Sequence, residues 1–127
     1  MNTDSIADLL TRIRNAANAR QYKTSVPYSG LKLAILEVMK KHNFIIGFKT
    51  VKNKAFNEIE IELNPEKRVL NLKRISKPGQ RIYIKKSTIK PVMNNYGIAI
   101  LSTPHGVMTG EEAIKARTGG EYICQIW

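Results

Sequence analysis

The chain has 127 residues, 43% of them hydrophobic, enough for one compact domain or two small ones and too apolar for wholesale disorder. Its 21 Lys and Arg outnumber 10 Asp and Glu, and the net charge of +11 calls for a polyanionic partner, nucleic acid before membrane. There is no apolar run of roughly 18 residues to span a membrane. The polar start from Met1 to Ser5 does not read as a secretory signal, and the single Cys124 leaves no internal disulfide and fits a reducing compartment.

The chain opens with a helix. Thr3 or Asp4 caps it, Ile6, Leu9, Leu10 and Ile13 share one face, and it ends around Asn18 to Arg20. Tyr22, Thr24, Val26 and Tyr28 alternate with Lys23 and Ser25 as a strand, and Pro27 places that strand at an edge or ends it. Ser29 caps a second helix with Leu31, Ile35, Val38, Met39 and His42 on its buried side. His42 suits a helix end better than a metal site.

Phe44, Ile46 and Phe48 alternate with Ile45, Gly47 and Lys49. Ile59, Ile61 and Leu63 alternate with Glu58, Glu60 and Glu62. With a turn at Lys52-Asn53-Lys54, the two runs predict an antiparallel hairpin with one wet, acidic face that RNA would avoid. Asn64-Pro65-Glu66 is a turn where the charge changes sign: residues 55–66 carry a net charge of −4, and residues 67–90 carry nine cations and no acid. A boundary there divides the chain into an N-terminal α/β domain, 1–65, and a C-terminal mainly β domain, 66–127. The fold class is α+β: an α-β-α-β-β unit followed by strands with one short helix.

The second half starts with a strand from Val69 to Ile75. Ser76-Lys77-Pro78-Gly79 forms a turn of type II, and Arg81 to Lys85 is the return strand, with Arg81, Tyr83 and Lys85 on one face. Cations around an aromatic ring suit a nucleic-acid backbone and its bases. Asn94-Asn95-Tyr96-Gly97 turns into an apolar strand, Ile98 to Leu101, followed by the loop Ser102-Thr103-Pro104-His105-Gly106. Its hydroxyls can donate to phosphate, ribose or base edges, or simply satisfy the local backbone. Thr109 and Glu112 make a capping box for a short helix that Gly119-Gly120 ends, and Glu121 to Trp127 closes the chain as a strand with Cys124 in the core.

Enzymatic constellations are missing. There is no phosphate-binding glycine loop and no Gly-x-Ser-x-Gly elbow. His42 and His105 are 63 positions apart, so no zinc site is expected. Ser102 and His105 have no orienting acid nearby for a hydrolase. No cofactor or metal is expected. A general basic module for duplex DNA or messenger RNA is the alternative; the lack of a basic recognition helix speaks against DNA.

Four motifs together resemble one family, the eighth small-subunit ribosomal protein of bacterial type. They are Asp-Ser-Ile-Ala-Asp-Leu-Leu-Thr-Arg-Ile-Arg-Asn-Ala (4–16), Ser-Lys-Pro-Gly-Gln-Arg-Ile-Tyr (76–83), Gly-Ile-Ala-Ile-Leu-Ser-Thr-Pro-His-Gly-Val-Met-Thr (97–109) and Gly-Gly-Glu-Tyr-Ile-Cys (119–124). The resemblance spans essentially the whole chain. It implies a two-domain, non-catalytic protein of the cytoplasmic ribosome that binds an irregular helix in the central domain of the small-subunit ribosomal RNA and helps assemble the platform. It also implies neighbouring small-subunit proteins as partners and, in some members, binding to the protein's own messenger RNA.

By the same resemblance, Ser102, Thr103 and Gly106 form the core of the RNA site, and Glu121 supports the loop or touches RNA. Tyr83, Lys85 and Lys86, with Arg81 and Lys77 on the same basic stretch, contact the flanking backbone. Thr3, Asp4, Arg12 and Arg14 face RNA from the first helix. The chain departs from the family pattern at Pro104, where the loop usually has a third hydroxyl, at Asn95-Tyr96-Gly97, where Gly-x-Gly is common, and at Ile84, where a basic residue is common.

Overall fold

The structure is a computed structural model that describes residues 4–52, 57–66, 71–90 and 97–127. It has two compact units: Ile6–Leu70, and Asn71–Trp127 together with Met1–Ser5. The architecture is α+β, as the patterning predicts.

In the first unit, α1 (Ser5–Asn18) buries Ile6, Leu9, Leu10 and Ile13. Strand β1 (Lys23–Pro27), helix α2 (Gly30–Lys41), β2 (Ile45–Lys52) and β3 (Asn57–Leu63) follow. The sheet order is β1-β3-β2, all antiparallel, so β1 is an edge strand as Pro27 requires. Two carbonyls on its outer edge are taken by cations: Arg12 Nη1 donates to Ser25 O at 2.9 Å, and Lys32 Nζ to Pro27 O at 3.0 Å. These bonds occupy part of the open edge.

The Ser29 hydroxyl accepts the Lys32 N–H and caps α2, and His42 is its C-cap. Its buried face differs from the expected one. Leu31 is exposed, whereas Lys32 and Leu36 are buried, because the Lys32 ammonium reaches inward to the Pro27 carbonyl. Burial lowers the pKa of that ammonium from its ordinary value. In β2 the alternation also slips: the register shifts between Ile45 and Gly47, so Ile45 is buried and Ile46 lies in solvent. The turn residues Asn53 and Lys54 lie outside the described residues.

The second unit contains β4 (Leu72–Arg74), β5 (Tyr83–Ile84), a 3-10 turn (Lys86–Thr88), β6 (Ile98–Thr103), β7 (Gly106–Thr109), α3 (Gly110–Lys115) and β8 (Gly120–Ile126). The sheet runs β4-β8-β6-β7, and β5 also pairs with β8. The expected β4–β5 hairpin is therefore not formed. Both strands instead pair with β8, β4 along Cys124–Ile126 and β5 along Gly120–Glu121. The turn between them is closed by paired backbone bonds of Lys77 and Gln80, but Gly79 does not have the positive φ that type II needs. Val69 and Leu70, the expected start of that strand, and the turn residues 94–96 lie outside the described residues. Ala99, Leu101 and Ala113 form a core against which Ile84, Ile89, Met108, Tyr122 and Trp127 pack.

Each helix ends in a left-handed residue that is not glycine: Arg20, Asn43 and Arg117. After α3, Arg117 N–H bonds to Ile114 O and Thr118 N–H to Ala113 O, the Schellman pattern. The helix thus stops at Arg117, not at Gly119-Gly120. An L-residue with a side chain is strained there, so Arg117→Gly should raise the unfolding free energy by about 0.5–1 kcal/mol in urea titrations. A loss of stability would show that the Arg117 side chain contributes more than its backbone strain removes.

Candidate nucleic-acid interface

Strands β5, β8 and β6 lie side by side, and their register sets one row of residues: Tyr83 opposite Glu121, and Glu121 opposite Ser102. Paired residues share a face. Together with Thr103, Pro104, Gly119 and Gly120, these three line an open groove of about 520 Å³. Four sequence-predicted residues, Tyr83, Ser102, Thr103 and Glu121, therefore meet on one surface.

The two glycines allow the strands to approach. A Cβ on Gly119 would stand 2.3 Å from Ile84 O, and one on Gly120 2.2 Å from Ser102 O. The sequence offered Gly119-Gly120 as a helix stop; their work is to let backbones touch.

At the rim, Thr103 and Gly106 close the β6–β7 hairpin over Pro104-His105. Neither loop residue has positive φ, while Gly106 has φ +114°. That is the pattern of a type I turn followed by a glycine bulge, and proline at the first loop position suits it. Pro104 thus removes a hydroxyl but stiffens the turn. The Thr103 hydroxyl donates to Gly106 O at 2.8 Å and accepts the His105 N–H at 3.1 Å. It is largely committed to the loop. Ser102, half-buried, makes no side-chain hydrogen bond to a described residue, so its hydroxyl is the one available to a ligand.

On the other side, Tyr83 is 71% exposed. Lys85 and Lys86 are exposed at the start of the 3-10 turn, with Lys85 Cα and Lys86 N near Gly119. Lys77 is exposed in the preceding turn. Ile84 packs its side chain on the core of this unit, which accounts for an apolar residue at that position.

Glu121 is tied to its neighbours. Its carboxylate accepts from Ser76 Oγ at 2.5 Å and from Arg81 Nη1 at 3.0 Å. Burial alone would raise its pKa. The hydrogen bonds from Ser76 and Arg81 and the charges of Arg81 and Arg74 outweigh burial and hold the carboxyl below its ordinary value. Arg81 is raised in turn, first by that hydrogen bond. Ser76 and the glycine contacts escaped sequence reasoning; the Gly-Gly pair opening a strand was the available signal.

Asp4 and the arginines of α1 are not among the residues that line the groove. Asp4 pairs with Arg74 at 3.0 Å, and Arg74 also donates to Ile123 O at 2.6 Å, where the β6–β8 register shifts. Arg12 pairs with Asp8 at 3.1 Å in addition to Ser25 O, and Arg14 lies in the same unit. Thr3 lies outside the described residues. Cys124 is a buried core thiol, its pKa pushed up to about 12 by burial.

A profile of the family Ribosomal protein S8 matches residues 4–127. The chain belongs to the ribosomal protein S8 family. Its relatives are named small ribosomal subunit protein uS8. That of Desulforudis audaxviator is 50% identical, with 100% of both chains covered. That of Roseiflexus castenholzii is 48% identical, covering 98% of this chain and 97% of the relative. That of Halothermothrix orenii is 41% identical, over 98% of each. As a member of the S8 family, the chain is a structural ribosomal protein and not an enzyme.

The lowered Glu121 pKa has a pH signature. A carboxylate depressed in the folded state stabilises the fold above its ordinary value of 4.5, and that contribution is lost as pH falls through the lower folded value. The stability advantage of the wild type over Glu121→Gln should be full well above pH 4.5 and shrink as the pH falls below it in urea titrations. An advantage that is constant across this range would mean that the charge of Glu121 does not stabilise the fold.

Proposed function

We propose that this protein, a structural constituent of the small ribosomal subunit like the relatives it matches, binds directly to the central domain of the small-subunit ribosomal RNA through the groove between β5, β8 and β6. Binding there helps to assemble the platform of the subunit. The observation that carries this is the cross-strand row Tyr83, Glu121 and Ser102, which sets an exposed ring, a fixed carboxylate and an uncommitted hydroxyl side by side, with the exposed cations Arg81, Lys85 and Lys86 at the two ends of β5.

The division of labour follows from the geometry. Lys77, Lys85 and Lys86 supply attraction to phosphates that weakens with salt and carries no specificity. Irregular RNA is recognised through shape and 2′-hydroxyls, which a rigid hydroxyl-bearing hairpin can meet. Ser102 donates to the RNA, and Thr103 and Gly106 hold the hairpin that presents it. Tyr83 offers a flat surface for a base or sugar. In the first unit, Arg12 and Arg14, with Thr3 and Asp4 at the start of the chain, supply further contacts to RNA. An RNA structure of the same shape in the protein's own messenger RNA would use the same groove.

A transcript of the central domain tests this, with scrambled RNA and duplex DNA as competitors at low and moderate salt. The full chain should keep its preference for the transcript as salt rises. Ser102→Ala should weaken transcript binding by about 1–2 kcal/mol, leaving scrambled RNA and thermal stability unchanged. Thr103→Ala should lower both binding and stability, because the His105 N–H loses its acceptor. Equal losses on transcript and scrambled RNA would remove Ser102 from specific recognition. Equal competition by duplex DNA would favour a general basic module.

A further inference from the structure

Ser76 is fully buried, and the sequence marks it only as part of a turn. Its hydroxyl donates to Glu121 at 2.5 Å and accepts the Ile82 N–H at 3.0 Å. Its own N–H donates to Tyr122 O at 3.0 Å, and Tyr122 N–H donates to Ile82 O at 2.8 Å. Ser76, Ile82 and the Glu121-Tyr122 pair of β8 thus form one connected hydrogen-bond network. The loop it closes carries Lys77 and Arg81 and leads directly into Tyr83. Its tip is locked separately by the Lys77–Gln80 backbone bonds.

Ser76 has no surface to offer a ligand, so any effect it has on binding passes through its neighbours. Without its hydroxyl, the Ile82 N–H loses its acceptor and Glu121 loses its shorter bond, leaving the half-exposed Arg81 as its remaining side-chain partner among the described residues. The cations remain, so the non-specific attraction remains. What is lost is the fixed placement of Arg81, Glu121 and Tyr83 relative to Ser102.

We infer that Ser76 is a positioning residue for RNA recognition. Its hydroxyl seats the basic loop 77–82 on β8 and holds the Glu121 carboxylate in place, so that both sides of the groove keep a single geometry. This rests on the groove being the RNA-binding surface.

The test compares wild type, Ser76→Ala, Glu121→Ala and the double variant, all as the full chain and below their unfolding temperatures. Two quantities are measured: affinity for the central-domain transcript and for scrambled RNA, and amide hydrogen exchange across residues 77–85. Ser76→Ala should weaken transcript binding about five- to thirtyfold, leave scrambled RNA unchanged and speed exchange in 77–85 but not in β6–β7. In the Glu121→Ala background the added loss should be smaller than in the wild type, because only the Ile82 N–H bond remains to be lost. Equal loss on both RNAs, an undiminished loss in the Glu121→Ala background, or unchanged exchange would overturn the inference. A wild type that does not prefer the transcript defeats the RNA assignment, while the exchange comparison still decides whether Ser76 seats the loop. If Ser76→Ala does not fold, Glu121→Ala alone must speed exchange in 77–85, and unchanged exchange there overturns the inference.

Discussion

At Gly119 and Gly120, β8 runs so close to its neighbours that a methyl group would stand 2.3 Å from the carbonyl oxygen of Ile84 and 2.2 Å from that of Ser102. No side chain fits between them. The contact is backbone on backbone, so it cannot be relieved by a change of rotamer. It is what allows β5 and β6 to flank β8 at one level and set Tyr83, Glu121 and Ser102 in a row. The shape of the groove, the support of the hairpin and the seating of the basic loop all depend on that approach.

Within this frame, polar groups that look alike in sequence have separate tasks. Thr103 spends its hydroxyl on its own loop, while neighbouring Ser102 keeps its hydroxyl available. Glu121 is the lone acid among the groove residues. Its charge is matched by Arg81 and by the buried Ser76, so it orders cations more than it repels phosphate. Pro104 gives the hairpin a restricted φ where a third hydroxyl would have given it another donor. Under the proposed function, charge brings RNA to the surface, and a rigid arrangement of uncharged donors selects which RNA stays.

Much of this was legible because it is local. The caps at Ser29 and Thr109, the helical face of Ile6, Leu9, Leu10 and Ile13, and the alternation of Ile59, Ile61 and Leu63 each involve residues a few positions apart. The resemblance of four motifs added Ser102, Thr103, Tyr83 and Glu121 as candidates, and the fold places those four along one groove. What could not be read was non-local. Arg81 to Lys85 looked like a return strand for its nearest neighbour, but β8 is the partner of both. Ser76 meets Glu121 across 45 positions of chain. The register shift at Ile46 and the inward turn of Lys32 change which residue faces the core without altering the local pattern enough to announce it. Arg117 ends a helix in a conformation for which glycine is the usual signal.

The close approach of β8 to its neighbours is tested by comparing Gly120→Ala with Gly79→Ala, a glycine with open space around its Cβ position. Each full chain would be assayed for affinity to the central-domain transcript and to scrambled RNA, below both unfolding temperatures. Gly120→Ala should destabilise the fold by about 1–3 kcal/mol, as overpacking does, and lose most of its preference for the transcript. Gly79→Ala should keep that preference. Wild-type stability and wild-type preference in Gly120→Ala would show that the strands need not approach so closely, and that the groove is not what selects the RNA.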